Sequence, residues 1–212
     1  MIDLATLTTY VAVVLGFVFI PGPATLLTVA RATSSGTKAG IATGAGIAAG
    51  DVFHTFTAMV GISAIVAASA VLFSAVKYLG AAYLVYLGIR AIMEKTPADL
   101  AAGRFPISAG KAFRQAILTE MLNPKTALFF LAFLPQFVRP ENGSVMLQLA
   151  VLGIIFVLLG LFSTVVFAVS AGGLGTFLRR NPTVLKWQGK IVGGIYCGLA
   201  CGWRFSSADA KR

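Results

Sequence analysis

Apolar residues recur along the whole chain in about six runs, separated by short clusters of glycine, proline and charged residues. The runs cover about Leu4–Ala30, Gly40–Phe73, Ala75–Met93, Phe113–Val138, Val145–Leu178 and Val184–Phe205. A helix needs about 20 apolar residues to cross the hydrocarbon core, so each run predicts a membrane-spanning helix. The second and fifth runs exceed a perpendicular crossing, which predicts tilt, a break or an extension beyond the bilayer. The pattern gives an all-α integral membrane protein of about six transmembrane helices in a single polytopic domain, residues 1–212. The first three helices occupy about residues 4–93, a polar loop about 94–112, the last three about 113–205, and a short polar tail 206–212.

Two of the runs are interrupted. "GFVFIPGPATLLTVA", residues 16–30, places Pro21, Gly22 and Pro23 inside the first span, and "EMLNPKTALFF", residues 120–130, places Asn123 and Pro124 inside the fourth. Setting Pro124 on Pro23 lays "NPKTALFF" over "GPATLLTV", at equivalent points of the first helix of each half. Three crossings per half turn the second half upside down, the arrangement of inverted-repeat transporters. Pro21 and Pro23 cannot donate the bonds that the carbonyls of Phe17 and Phe19 would receive, and Pro124 does the same to Glu120. Gly22 eases the unwinding. Irregular backbone at membrane depth is tolerated only against protein or a wet cavity, so the two breaks are expected to face each other or a shared cavity. Pro23 and Pro124 suit the first position of a new half-helix, with Asn123 as a cap. The free amides that follow would favour a carboxylate. A pair of shape-giving kinks is the alternative, and ionisable residues beside the breaks weigh against it.

Those residues are few. Asp51 and His54 lie three apart on one face of the second span, and Glu120 and Lys125 flank the second break. Each Asp or Lys facing lipid at the bilayer centre would cost roughly 3 kcal/mol, so they must be paired, neutral or wet. Asp51 is the leading proton-carrying candidate, with a brace for its helix as the alternative. His54 either joins it or hydrogen-bonds a carbonyl, and Glu120 either titrates or meets Arg114 or water. Lys125 suits a substrate carboxylate or a pairing with Asp51. Gly40 with Gly44 and Gly46 with Gly50 have the four-residue spacing of close helix packing, and Gly153 and Gly160 read the same way.

Composition agrees with a lipid environment: 58% of residues are hydrophobic, 11% are charged, and the mean hydropathy is +0.88. The formal net charge of +10 reflects how the basic residues are distributed. Eleven follow the first, third and fifth spans, from Arg31 and Lys38 to Lys186 and Lys190, against five (Lys77, Arg139, Arg204, Lys211 and Arg212) on the other side. The positive-inside rule then puts both termini outside the cytoplasm and leaves the charge to topology and anionic lipid, not to nucleic acid. Asp3 stands where a signal peptide would be basic, so the first helix is expected to be retained. Cys197 and Cys201, without nearby histidine, read as packing residues, and nothing calls for a metal or a cofactor.

Pro21-Gly22-Pro23, the "GIATGAGIAAGD" run ending at Asp51, the "NPK" at Asn123–Lys125 and the following "FLPQF" together resemble the LysE/RhtB family of bacterial amino-acid exporters. The resemblance covers about residues 4–205. It implies a transporter in the bacterial cytoplasmic (inner) membrane that moves amino acids or close derivatives outward, against protons. Its motif positions are Pro21, Gly22, Pro23, Asp51, Asn123, Pro124 and Lys125. The expected partners are a small-molecule substrate, protons and membrane lipid, and a homo-oligomer is compatible with the pattern. A passive channel would show a repeated filter or rings of like residues, which one chain does not offer. An intramembrane enzyme is disfavoured: "AAGD" lacks the first glycine of GxGD, and neither HExxH nor GxSxG occurs.

Overall fold

A computed structural model of the chain describes residues 2–19, 22–93 and 106–171. Among these residues the regular structure is entirely helical: α1 (Leu4–Phe19), α2 (Pro23–Ser35), α3 (Thr37–Ala68), α4 (Ala70–Met93), α5 (Ala109–Met121), α6 (Pro124–Phe133) and α7 (Val145–Val169). Short 3-10 turns at Leu134–Phe137 and Pro140–Asn142 link α6 to α7. Helices α3 and α7 are long and apolar enough to cross a membrane, and α1 with α2, meeting at a 48° bend, forms a third candidate span. The expected sixth helix, Val184–Phe205, lies outside the described residues, as do Cys197, Cys201 and most of the polar loop at 94–112.

The helix ends follow from local chemistry, and some differ from the hydrophobic boundaries. The first span continues past Ala30 to Ser35, and on this extension the Arg31 guanidinium donates to the Gln115 side chain at 3.3 Å. Gly36, at φ +88°, then turns the chain directly into α3. That left-handed region costs glycine nothing and other residues strain. The second and third spans part at Ser69, not near Phe73. The Ser69 amide still closes α3 on Ile65, while its hydroxyl accepts from the Leu72 amide and caps α4. Ser108 and Ser144 cap α5 and α7 in the same way. Asp3 caps α1 by accepting from the amide and hydroxyl of Thr6, bonds that hold its carboxyl below the usual carboxylate range.

Helix α3 is the central element, packed on α2, α5 and α7. Its glycines form two smooth faces. A Cβ at Gly40 would lie 2.5 Å from Ala32 Cβ and one at Gly44 would lie 2.6 Å from Thr164 Oγ1, so that face closes on α2 and α7. On the other face a Cβ at Gly46 would collide with the Phe113 carbonyl, and one at Gly50 would sit 2.5 Å from Glu120 Cβ, so α5 lies directly against the backbone of α3. Close approach replaces the hydrophobic drive that lipid cannot supply.

Two apolar clusters flank the middle of the bundle. The larger contains Tyr10, Val14, Phe129, Phe133, Leu152 and Phe156, with Phe129 and Phe133 stacked at 4.5 Å. The smaller contains Val29, Ala32, Phe167 and Ala168. Phe53 and Phe56 on α3, and Ile154, Leu158 and Phe162 on α7, remain exposed, which suits a lipid-facing surface.

Gly46→Ala should lower the melting temperature in detergent, through an overpacking cost of about 1–3 kcal/mol at the α3–α5 contact. Gly61→Ala, also on α3 but with no described atom within 4 Å of the added Cβ, should be neutral or slightly stabilising. Equal stability of the two variants would contradict the close packing.

Candidate functional site

The polar residues lie between the two apolar clusters, where both helix breaks occur. Helix α2 begins at Pro23 with Gly22 as its extended cap, and α6 begins at Pro124 immediately after Asn123. Each proline therefore stands at the first helical position, where its missing N–H costs nothing. Pro21 lies outside the described residues, as do the side chains of Pro124 and Lys125.

Each break is met by a side chain from another helix. At the first, the Ser163 hydroxyl of α7 donates to the Val18 carbonyl at 2.6 Å. The sequence points to the carbonyls of Phe17 and Phe19. Val18 also needs a donor because unwinding at Gly22 withdraws an amide that a continuous helix would have kept. At the second break, His54 Nε2 lies 2.8 Å from the Glu120 carbonyl, which also accepts from the Asn123 amide. A carbonyl only accepts, so Nε2 carries the proton. The orphan carbonyl at Glu120 is the one that Pro124 predicts.

The Glu120 side chain is 3% exposed and fully engaged. The Thr126 hydroxyl donates to Oε1, and Asn123 Nδ2 reaches Oε1 at 3.2 Å and Oε2 at 3.3 Å. Among the described residues Thr126 and Asn123, not Arg114, engage the Glu120 carboxylate, because the chain turns back over it at the break. Asp51 is equally buried at 3%, but no described residue hydrogen-bonds its carboxylate. Its backbone carbonyl accepts from Thr55. His54, at 4% exposure, packs its ring against Phe130.

Both breaks and both carboxylates border one cavity of about 70 Å³. Gly22, Pro23 and Thr25 line it from the first break, Asn123 and Thr126 from the second, and Asp51, Glu120, Gly160 and Thr164 from the neighbouring helices. Phe17, Val18, Ile47 and Phe156 supply the apolar wall. A single water needs about 10–15 Å³ on the same measure, so the space holds several waters or part of a small solute. The first-turn amides of α2 and α6 have no intrahelical partners, so two positive dipole ends border the same cavity as the two carboxylates. Such a site can take a group of either charge. Among the described residues, no three metal-ligating side chains gather to hold an ion.

Comparison with known proteins identifies the family. A family model described as LysE type translocator matches residues 15–204. The chain belongs to the LysE type translocator family. It is 36% identical to the uncharacterized membrane protein YrhP of Bacillus subtilis over 203 residues, 92% of this chain and 96% of that one. It is 30% identical to an uncharacterized membrane protein of Vibrio cholerae, covering 95% of this chain and 96% of that one. It is 29% identical to the leucine efflux protein of Salmonella typhimurium, with 91% of each chain covered. No solved structure matches it.

In this LysE translocator, sequence reasoning overlooked Thr25, Thr126, Ser163 and Thr164, and read Gly160 as a packing glycine where it borders the cavity. For the first two, a signal was in plain view. Laying "NPKT" over "GPAT" pairs Thr126 with Thr25 and Asn123 with Gly22, and all four line the cavity. Ser163 carries no local mark, since a serine in an apolar helix satisfies its own backbone as readily as a neighbour's. Only the approach of α7 to α1 gives it a role.

Ser163→Ala should cost about 1 kcal/mol by removing the α7 donor from the Val18 carbonyl, while Ser163→Thr keeps a hydroxyl and most of the stability. His54→Leu should cost a similar amount, about 1 kcal/mol, with His54→Gln intermediate. Thermal unfolding of the four variants checks this, and unchanged melting of both deletions would contradict the bracing of the breaks.

Proposed function

We propose that this LysE type translocator exports amino acids or close derivatives from the bacterial cytoplasm, exchanging them for protons at the cavity between the two helix breaks. The observation that carries the reading is the convergence of both breaks and two buried carboxylates, Asp51 and Glu120, on one space in an apolar bundle. Likeness to a leucine efflux protein along 91% of the chain supports the substrate class.

The exchange follows from competition. An unpaired carboxylate in a low-dielectric cavity is stabilised either by a proton or by a substrate ammonium, and not by both at once. Asp51 is assigned the exchanging role because its carboxylate is free of described donors, whereas Glu120 is held by Thr126 and Asn123. Through Nε2, His54 is committed to the Glu120 carbonyl and is assigned to bracing the break. The substrate carboxylate is assigned to the first-turn amides after Pro23 and Pro124 and to the Lys125 ammonium. The inverted arrangement of two three-helix repeats, with both termini outside the cytoplasm of an inner membrane, is supported by the paired breaks and the distribution of basic residues.

The parent chain in liposomes loaded with leucine should move protons inward as leucine leaves. Asp51→Asn keeps the shape but removes the titratable group, so it should insert normally and lose the proton movement. Leucine flux without proton movement in the parent would instead indicate a passive channel, and full coupling in the variant would shift the proton to Glu120. Cysteine labelling in a background lacking Cys197 and Cys201 should find the loop at Gly103 cytoplasmic and that at Asn142 external. Labelling of both from one side would overturn the inverted arrangement.

A further inference from the structure

The glycines of α3 and α7 are of two kinds. At Gly40, Gly44, Gly46, Gly50 and Gly153 an added Cβ would collide with a neighbouring helix, so close packing accounts for the missing side chain. Gly61 and Gly160 differ. At Gly61, which does not border the cavity, an added Cβ would meet no described atom within 4 Å. The Gly160 Cβ would lie 3.5 Å from Asp51 Oδ2, an ordinary contact distance, with no other described atom within 4 Å. The backbone gives no reason either, because Gly160 sits in the regular interior of α7 without positive φ. Helix propensity disfavours glycine there. What Gly160 does is border the cavity, directly beside the Asp51 carboxylate, which is buried and bonded by no described residue. Each substitution would fill that space first.

We propose that Gly160 is a specificity-determining position. The space beside Asp51 admits the solute's ammonium group together with the carbon that bears it, and the absent side chain sets how much bulk that carbon can carry. The inference rests on the cavity being the solute site of the exporter proposed above, and it adds which residue limits the solute and where.

The geometry makes the test a trade of one methyl for another. Leucine and α-methylleucine differ by a methyl on the ammonium-bearing carbon, and Gly160→Ala adds one methyl to the facing wall. The parent should export both from preloaded liposomes. In Gly160→Ala, export of α-methylleucine relative to leucine should fall about tenfold, the scale on which a one-carbon change in a pocket is discriminated. Gly160→Val should extend the loss to leucine. The melting temperature of Gly160→Ala should be no lower than the parent's, whereas Gly153→Ala, which drives a methyl into Thr55, should be destabilised.

An unchanged ratio in Gly160→Ala overturns the proposal while leaving leucine export standing. A destabilised Gly160→Ala also overturns it, because the glycine would then be a packing residue. A parent that exports leucine but excludes α-methylleucine shows that the space is not there. A parent that moves neither solute removes the export reading, and the proposal falls with it.

Discussion

A broken helix cannot leave its freed carbonyls facing hydrocarbon, so each must meet a donor from the protein or a wet cavity. That requirement organises this molecule. Ser163 of α7 donates to the Val18 carbonyl and His54 of α3 lies within hydrogen-bonding distance of the Glu120 carbonyl, so each interruption is tied to a different neighbouring helix. The ties fix where α1, α3, α5 and α7 meet. They also explain why polar groups reach the cavity: both helix breaks border it, together with residues of α3 and α7.

Helix α3 makes the meeting close enough. Its two glycine faces bring α5 on one side and α2 and α7 on the other to backbone contact, so Asp51 arrives at the cavity that both breaks border and His54 reaches the second break. A bulkier α3 would hold the helices apart and leave the breaks facing lipid. The apolar clusters on either side then seal the polar layer. Along α7, Leu152 and Phe156 belong to one cluster, Ser163 and Thr164 to the polar layer, and Phe167 and Ala168 to the other.

The two carboxylates have been given different surroundings. Glu120 is satisfied by Thr126 and Asn123 from the break that begins a few residues later, whereas Asp51 opens on the cavity. A satisfied carboxylate has less to gain from a new partner than an unsatisfied one. This asymmetry is why the proposed exchange of proton for ammonium is assigned to Asp51, with Gly160 leaving room at its side.

The sequence by itself determined the helical, lipid-facing character of the chain, the positions of both breaks and the family. Those features are local or periodic: proline lacks an N–H wherever it stands, and a run of about 20 apolar residues has few other homes. It also contained the pairing of Thr25 with Thr126, since laying "NPKT" over "GPAT" needs only the string itself. The tertiary structure alone decided which partners complete the breaks and which glycines are packed. Ser163 and Val18 are 145 residues apart in the chain, and nothing near either one names the other. Gly153 and Gly160 look alike in α7, yet one is pressed against Thr55 and the other borders a cavity. That difference depends on what lies opposite each residue, which is a property of the assembled bundle and not of any one helix.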